Sequence, residues 1–82
     1  MVVTKELEMT IANEMALIKA MEVVYYSGDI LIGFISSVSF FPLRVTFCES
    51  EVPRGKNPYH YLNFDDISKI TILYHDGRVV LF

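Results

Sequence analysis

The chain has a single cysteine, Cys48, so no internal disulfide can staple it, and one unpaired thiol fits a reducing compartment such as the cytoplasm. It also lacks a hydrophobic run long enough to span a membrane. The longest uncharged stretch, Ile30 to Leu43, falls short of the ~20 apolar residues that a helix needs to cross a bilayer. That stretch holds three serines, a glycine and a proline, so it reads as sheet, and no membrane is expected as a partner. No basic region leads into an apolar run near Met1, and a secretory signal is not expected. Basic residues are few: seven Lys and Arg against ten Asp and Glu leave a formal net charge of −3. Nucleic-acid binders usually concentrate the opposite sign over a face. Metal-ligand spacing is missing too, with no C-x-x-C and no H-x-x-x-H, and His60 and His75 fall in different predicted elements. Gly28 and Gly33 lie within a predicted hairpin rather than between a strand and a helix, which rules out a phosphate-cradling loop. The pattern therefore implies no cofactor, no metal and no catalytic set. Without repeats, low-complexity tracts or linkers, residues 1–82 read as a single domain.

What the chain has in abundance is apolar side chains, which make up 52% of its 82 residues. A domain this small buries only about 60% of its unfolded surface, so part of that apolar content is expected to stay outside. The densest stretch runs from Glu22 to Phe47. Val23, Val24, Tyr25 and Tyr26 suit a pleated, half-buried surface, and Ser27-Gly28-Asp29 supplies a tight reversal. Beyond it, Ile30, Ile32 and Phe34 alternate onto one face, with Val38 and Phe40 in the same parity, while Leu31, Gly33, Ile35, Ser37 and Ser39 take the other. Gly33, mid-strand, marks a bulge or a close backbone approach. Pro42 ends this strand or sits at a bulge before Leu43, Val45 and Phe47 begin a third.

Upstream, Leu7, Ile11, Met15 and Ile18 recur at helical spacing and predict a helix over residues 4–20, with Thr4 as N-cap and Glu6 and Glu8 at the positive end of its dipole. Downstream, Glu49 to Pro58 is charged and rich in proline, and reads as a loop. Tyr59, Tyr61 and Asn63 then oppose His60, Leu62 and Phe64 in a short strand. Phe64-Asp65-Asp66-Ile67 reads as a corner, two carboxylates that can cap a turn flanked by two apolar anchors. Ile70, Ile72 and Tyr74 line one face of the next strand, and Asp76-Gly77 turns the chain into the last. The fold class is α+β, mainly β: an N-terminal helix, then a strongly bent five- or six-stranded antiparallel sheet or a small SH3/Sm-like barrel. Strands are expected near 21–27, 30–40, 43–48, 59–63, 68–75 and 78–82.

The run VVYYSGDILIGFISSV, with glycines at 28 and 33, followed by YLNFDDISKI, resembles the small SH3/Sm-like barrel domains and YolD-like proteins in particular. The resemblance spans roughly Glu22 to Ile72 and implies a fold more than an activity. Sm-like RNA binders carry an Asp and an Asn after the second strand, where this chain has Ser39 and Leu43, and His75-Asp76-Gly77-Arg78 does not supply their basic loop.

Few residues offer chemistry. Asp65 and Asp66 are adjacent and on a strand would point to opposite faces, which is unsuited to acid–base pairing. Cys48 precedes Glu49, whose charge disfavours a thiolate. Only Arg54, Lys56, Tyr59, His60 and Tyr61 interleave basic and aromatic groups as a single-strand stacking surface requires. Two functions are therefore expected in order. The first is a small non-enzymatic module that binds a protein partner or itself, with Phe40 and Phe41 in the contact. The second is a single-stranded nucleic-acid-binding Sm-like barrel using the Arg54–Tyr61 segment.

Overall fold

A computed structural model describes residues 1–49 and 59–82. A helix, α1 (Lys5–Glu14), is followed by a 3-10 turn (Met15–Leu17) and six strands: β1 (Ile18–Tyr25), β2 (Ile30–Ser39), β3 (Arg44–Cys48), β4 (Tyr59–Tyr61), β5 (Ile67–Tyr74) and β6 (Val79–Leu81). A second 3-10 turn, Phe64–Asp66, precedes β5. All strand pairs are antiparallel, in the order β4-β3-β2-β1-β5-β6. The chain is thus α+β and mostly strand. Of the two forms expected, it takes the bent sheet and not the barrel: β4 and β6 are unjoined edges, so the sheet is open among the described residues.

α1 is shorter than its apolar stripe predicts. Thr4 caps it as expected, its hydroxyl accepting from the Leu7 amide at 3.2 Å. Leu7 and Ile11 are buried, but Met15 is exposed and Ile18 belongs to β1. The helical spacing fails after Glu14 because Ile18 onward is recruited as a central strand, with the His75 amide donating to Leu17 O at 3.0 Å and Ile18 opposite Tyr74. Pairing along the whole of β5 outweighs a local helical preference of a few tenths of a kcal/mol per residue. α1 lies along β5: the Met1 amino group donates to Phe64 O and Ile67 O at 2.6 and 2.7 Å, and at the other end the Tyr74 hydroxyl donates to the Glu14 carboxylate.

β2 makes the sheet bend. Its first part, Ile30 to Gly33, pairs with β1, and its second, from Phe34, pairs with β3. One strand therefore serves two half-sheets, and the core lies between them, joining Met21, Ile70 and Ile72 to Val45 and Phe47. Gly33 sits at the change of partner. A Cβ built there would lie 3.0 Å from Cys48 O and 3.0 Å from the Phe47 ring, so of the two roles expected for this glycine it has the close approach. The bulge is elsewhere, at Ser36, where the register steps from Ile35 opposite Phe47 to Ser37 opposite Thr46. That extra residue reverses the parity. Leu31 and Ile35 pack toward the core before it, and Val38 and Phe40 do so after it, which corrects the single alternation from Ile30 through Phe40. Serine carries no signal that distinguishes a bulged position from an ordinary outward one.

The corner is confirmed, with Phe64 and Ile67 buried and both aspartates exposed. Its cap is Asn63 rather than either aspartate: the Asn63 side-chain oxygen accepts from the Asp65 amide at 3.2 Å while its amide group donates to Asp66 at 3.2 Å. Both hairpin turns place their glycine at positive φ, Gly28 at 94° and Gly77 at 92°, the conformation in which glycine is unstrained.

Replacing Gly33 with alanine is expected to destabilise the chain by ~1–3 kcal/mol, the range for overpacking a filled core, and valine by more. Urea unfolding checks this; unchanged stability in the alanine variant would mean that the β2–β3 contact relaxes freely.

Candidate functional site

Glu14, Tyr74, Asp76 and Arg78 form a polar cluster at the end of the sheet where α1 stops. Tyr74 bonds Glu14 across from the helix, the Arg78 guanidinium lies over the Tyr74 ring at 4.3 Å, and Arg78 Nε donates to Asp76 at 2.9 Å. Burial, then the bond to Glu14, raises the Tyr74 hydroxyl above its ordinary value, whereas Asp76 is lowered chiefly by the Arg78 amide that donates to it at 3.0 Å. The cluster is a structural clamp between α1 and the β5–β6 turn, since each group is consumed by a partner within it. Among the described residues no three His, Cys, Asp or Glu side chains converge as metal ligands do. Cys48 is buried in β3, a setting in which a thiol behaves as a small hydrophobe. No described helix is long and apolar enough to cross a membrane.

The basic–aromatic candidates are only partly brought together. Arg54 and Lys56 lie outside the described residues. Tyr59 and Tyr61 stand on one side of the edge strand β4, and Tyr61 is 82% exposed. His60 is on the other side, opposite Phe47 in register, and its Nε2 meets Glu49 Oε1 at 2.8 Å. An exposed pair of this kind contributes little to stability, but it sets an acidic group beside the histidine. The structure thus brings Tyr59 and Tyr61 to one face, and the described cation on that side is Arg44, exposed on β3 two residues from Thr46, which is opposite Tyr61.

Phe40 and Phe41 occupy the turn between β2 and β3 and differ sharply. Phe40 packs against the core, whereas Phe41 is 92% exposed and held at φ 63°, in the left-handed region that disfavours large side chains. Together with Lys5, Glu8, Met9 and Ala12 of α1 they line a groove of about 600 Å³. A second hollow, of about 380 Å³, lies at the β1–β2 turn between Tyr25, Tyr26 and Asp66.

A further surface was not singled out by sequence reasoning. The side of the β2-β1-β5-β6 half-sheet that faces away from the core carries exposed apolar residues on its two flanking strands, β2 and β6, with Glu22, Thr71 and Lys69 on the strands between. Ile32, Glu22, Thr71 and Leu81 align in one row, and Ile30, Val24 and Lys69 in the next. Ile30 is 62% and Leu81 69% exposed, and Ile32 and Val79 are exposed as well. Alternation in the sequence separates the two faces of these strands but does not reveal that both carry apolar residues.

The chain matches no protein-family model, no curated protein and no solved structure.

Two outcomes follow from this geometry. Tyr74 is held protonated more firmly in the folded chain than in the unfolded one, so its contribution is fully present below the ordinary tyrosine value of ~10 and is lost as pH rises through the raised folded value. Urea unfolding at pH 8 and pH 11 is expected to show stability falling at the higher pH, less so in Tyr74→Phe. An equal fall in both would remove Tyr74 from the alkaline transition. At the groove, Phe40→Ala is expected to cost more than ~1 kcal/mol through lost packing, while Phe41→Gly stays within ~0.5 kcal/mol of the parent; thermal melts that reverse this order would put Phe41 in the core.

Proposed function

We propose that this chain is a small non-catalytic protein-interaction module that associates with itself and acts in the cytoplasm. The observation that carries this reading is the number of large apolar side chains left outside the core, at the groove beside Phe40 and Phe41 and on the outer sheet face, where Ile30 and Ile32 adjoin on β2 and Val79 and Leu81 on β6. Scattered apolar residues are ordinary on a protein surface, but contiguous patches mark contacts with other molecules. An outer sheet face and a groove are both forms that protein partners occupy. Sedimentation across a hundredfold dilution through the micromolar range is expected to show a mass of twice the monomer or more that falls on dilution. A constant monomeric mass would remove self-association from the reading and leave a different protein as partner.

The second reading is single-stranded nucleic-acid binding of the kind the Sm-like resemblance implies. Tyr59 and Tyr61, exposed two residues apart on an edge strand, favour it as stacking platforms, and the net charge of −3 opposes it. Binding of an oligonucleotide that weakens as salt rises and disappears in Tyr59→Ala/Tyr61→Ala is its expected sign.

A further inference from the structure

We infer that two copies of this chain meet through the outer face of the β2-β1-β5-β6 half-sheet, packed face to face about a two-fold axis. The inference rests on the self-associating reading above and assigns that association to one surface.

The central rows of this face contain two charges, Glu22 on β1 and Lys69 on β5, of opposite sign. Register sets them on adjacent strands and one diagonal apart, since Glu22 is opposite Thr71 and Val24 is opposite Lys69. They do not pair with each other: the ion pairs among the described residues are His60–Glu49 and Asp76–Arg78. Around them the face presents Ile30, Ile32, Val79 and Leu81, all exposed. A partner carrying charge of one sign would satisfy one of the two residues and oppose the other. A second copy satisfies both, because a two-fold axis through the midpoint between Glu22 and Lys69 brings each carboxylate against the other copy's ammonium. Such self-complementarity is what an isologous contact requires. Burying either charge alone would be costly, so the pairing fixes the docking register as well as permitting it.

Size sets the strength. Four strands ~4.8 Å apart and about five residues at ~3.3 Å rise cover roughly 19 by 16 Å. That footprint is below the ~800 Å² per partner of a standard interface and belongs to the weaker class. The association is therefore weak and reversible, and the Phe40–Phe41 groove, on the side of the molecule where α1 packs, stays free in the dimer.

The test is sedimentation equilibrium of the intact chain and four variants, each checked for the parental melting temperature. Ile32→Lys and Glu22→Lys, both on the outer face, are expected to weaken the dimer at least tenfold, the latter by setting like charges together. The exchange Glu22→Lys/Lys69→Glu is expected to return the dissociation constant to within about threefold of the parent, which a merely disruptive change would not allow. Phe41→Ser is expected to leave it unchanged. If the parent is monomeric at every concentration, the self-associating reading and this inference fall together. If the parent dimerises, and Phe41→Ser abolishes the dimer while Ile32→Lys and Glu22→Lys leave it intact, the reading stands and this inference falls. Failure of the double exchange to restore the dimer overturns the two-fold charge pairing.

Discussion

The contact on which this fold depends is between the Phe47 ring and a glycine that has no side chain to hold it away. β2 can leave β1 and join β3 only if the backbone at Gly33 and the ring from β3 come within van der Waals distance, and a hydrogen in place of a methyl group allows it. Everything interior follows from that bend. Phe47, Met21, Ile70 and Ile72 become fully buried because the two half-sheets close on each other. Leu7 and Ile11 of α1 join the same cluster, as interiors packed to crystal-like density require.

The same bend divides the surface. Once β2 is shared, the strands of the β1 half have their inner residues in the core and their outer residues facing away, and on those outer positions the chain keeps isoleucine, valine and leucine. A small domain is least able to conceal such residues, because its ratio of surface to volume is unfavourable. Ile30 and Ile32 on β2 and Val79 and Leu81 on β6 flank one acid, Glu22, and one base, Lys69, on the strands between them. The groove at α1 is a different kind of surface, concave and built partly from Phe41, whose backbone conformation is not one that phenylalanine favours.

Much of the architecture was legible from residue patterns because those patterns were physical. The Asp76-Gly77 and Ser27-Gly28 turns, the buried triplet Ile70, Ile72 and Tyr74, the Phe64–Ile67 anchors and the special role of Gly33 all reflect local constraints that a residue type either meets or does not. The end of the helix was not legible, since Met15 and Ile18 continue its spacing and only the distant β5 decides that Ile18 is strand. Neither was the bulge at Ser36, since Ser36 and Ser37 look the same on either face, and the alternation therefore sets Val38 and Phe40 on the wrong side. Of the candidate contact residues, Tyr59 and Tyr61 were correctly read as companions, while His60 turns away to Glu49. The outer face is not legible because an alternating strand tells which residues share a side, not which side meets water.

The place of β1 has a consequence for how the chain reaches this structure. β1 is central and its long partner is β5, with Val23 opposite Ile70, so residues 24–69 must be spanned before the middle of the sheet exists. Hairpins β1–β2 and β5–β6 close locally and can form early, but joining them demands a large loss of chain entropy before the core repays it. Folding is accordingly set by a single non-local encounter. Until β5 arrives, the edge of β1 that will receive it remains an open template for other strands, so a slow search leaves that edge exposed to pairing with another molecule.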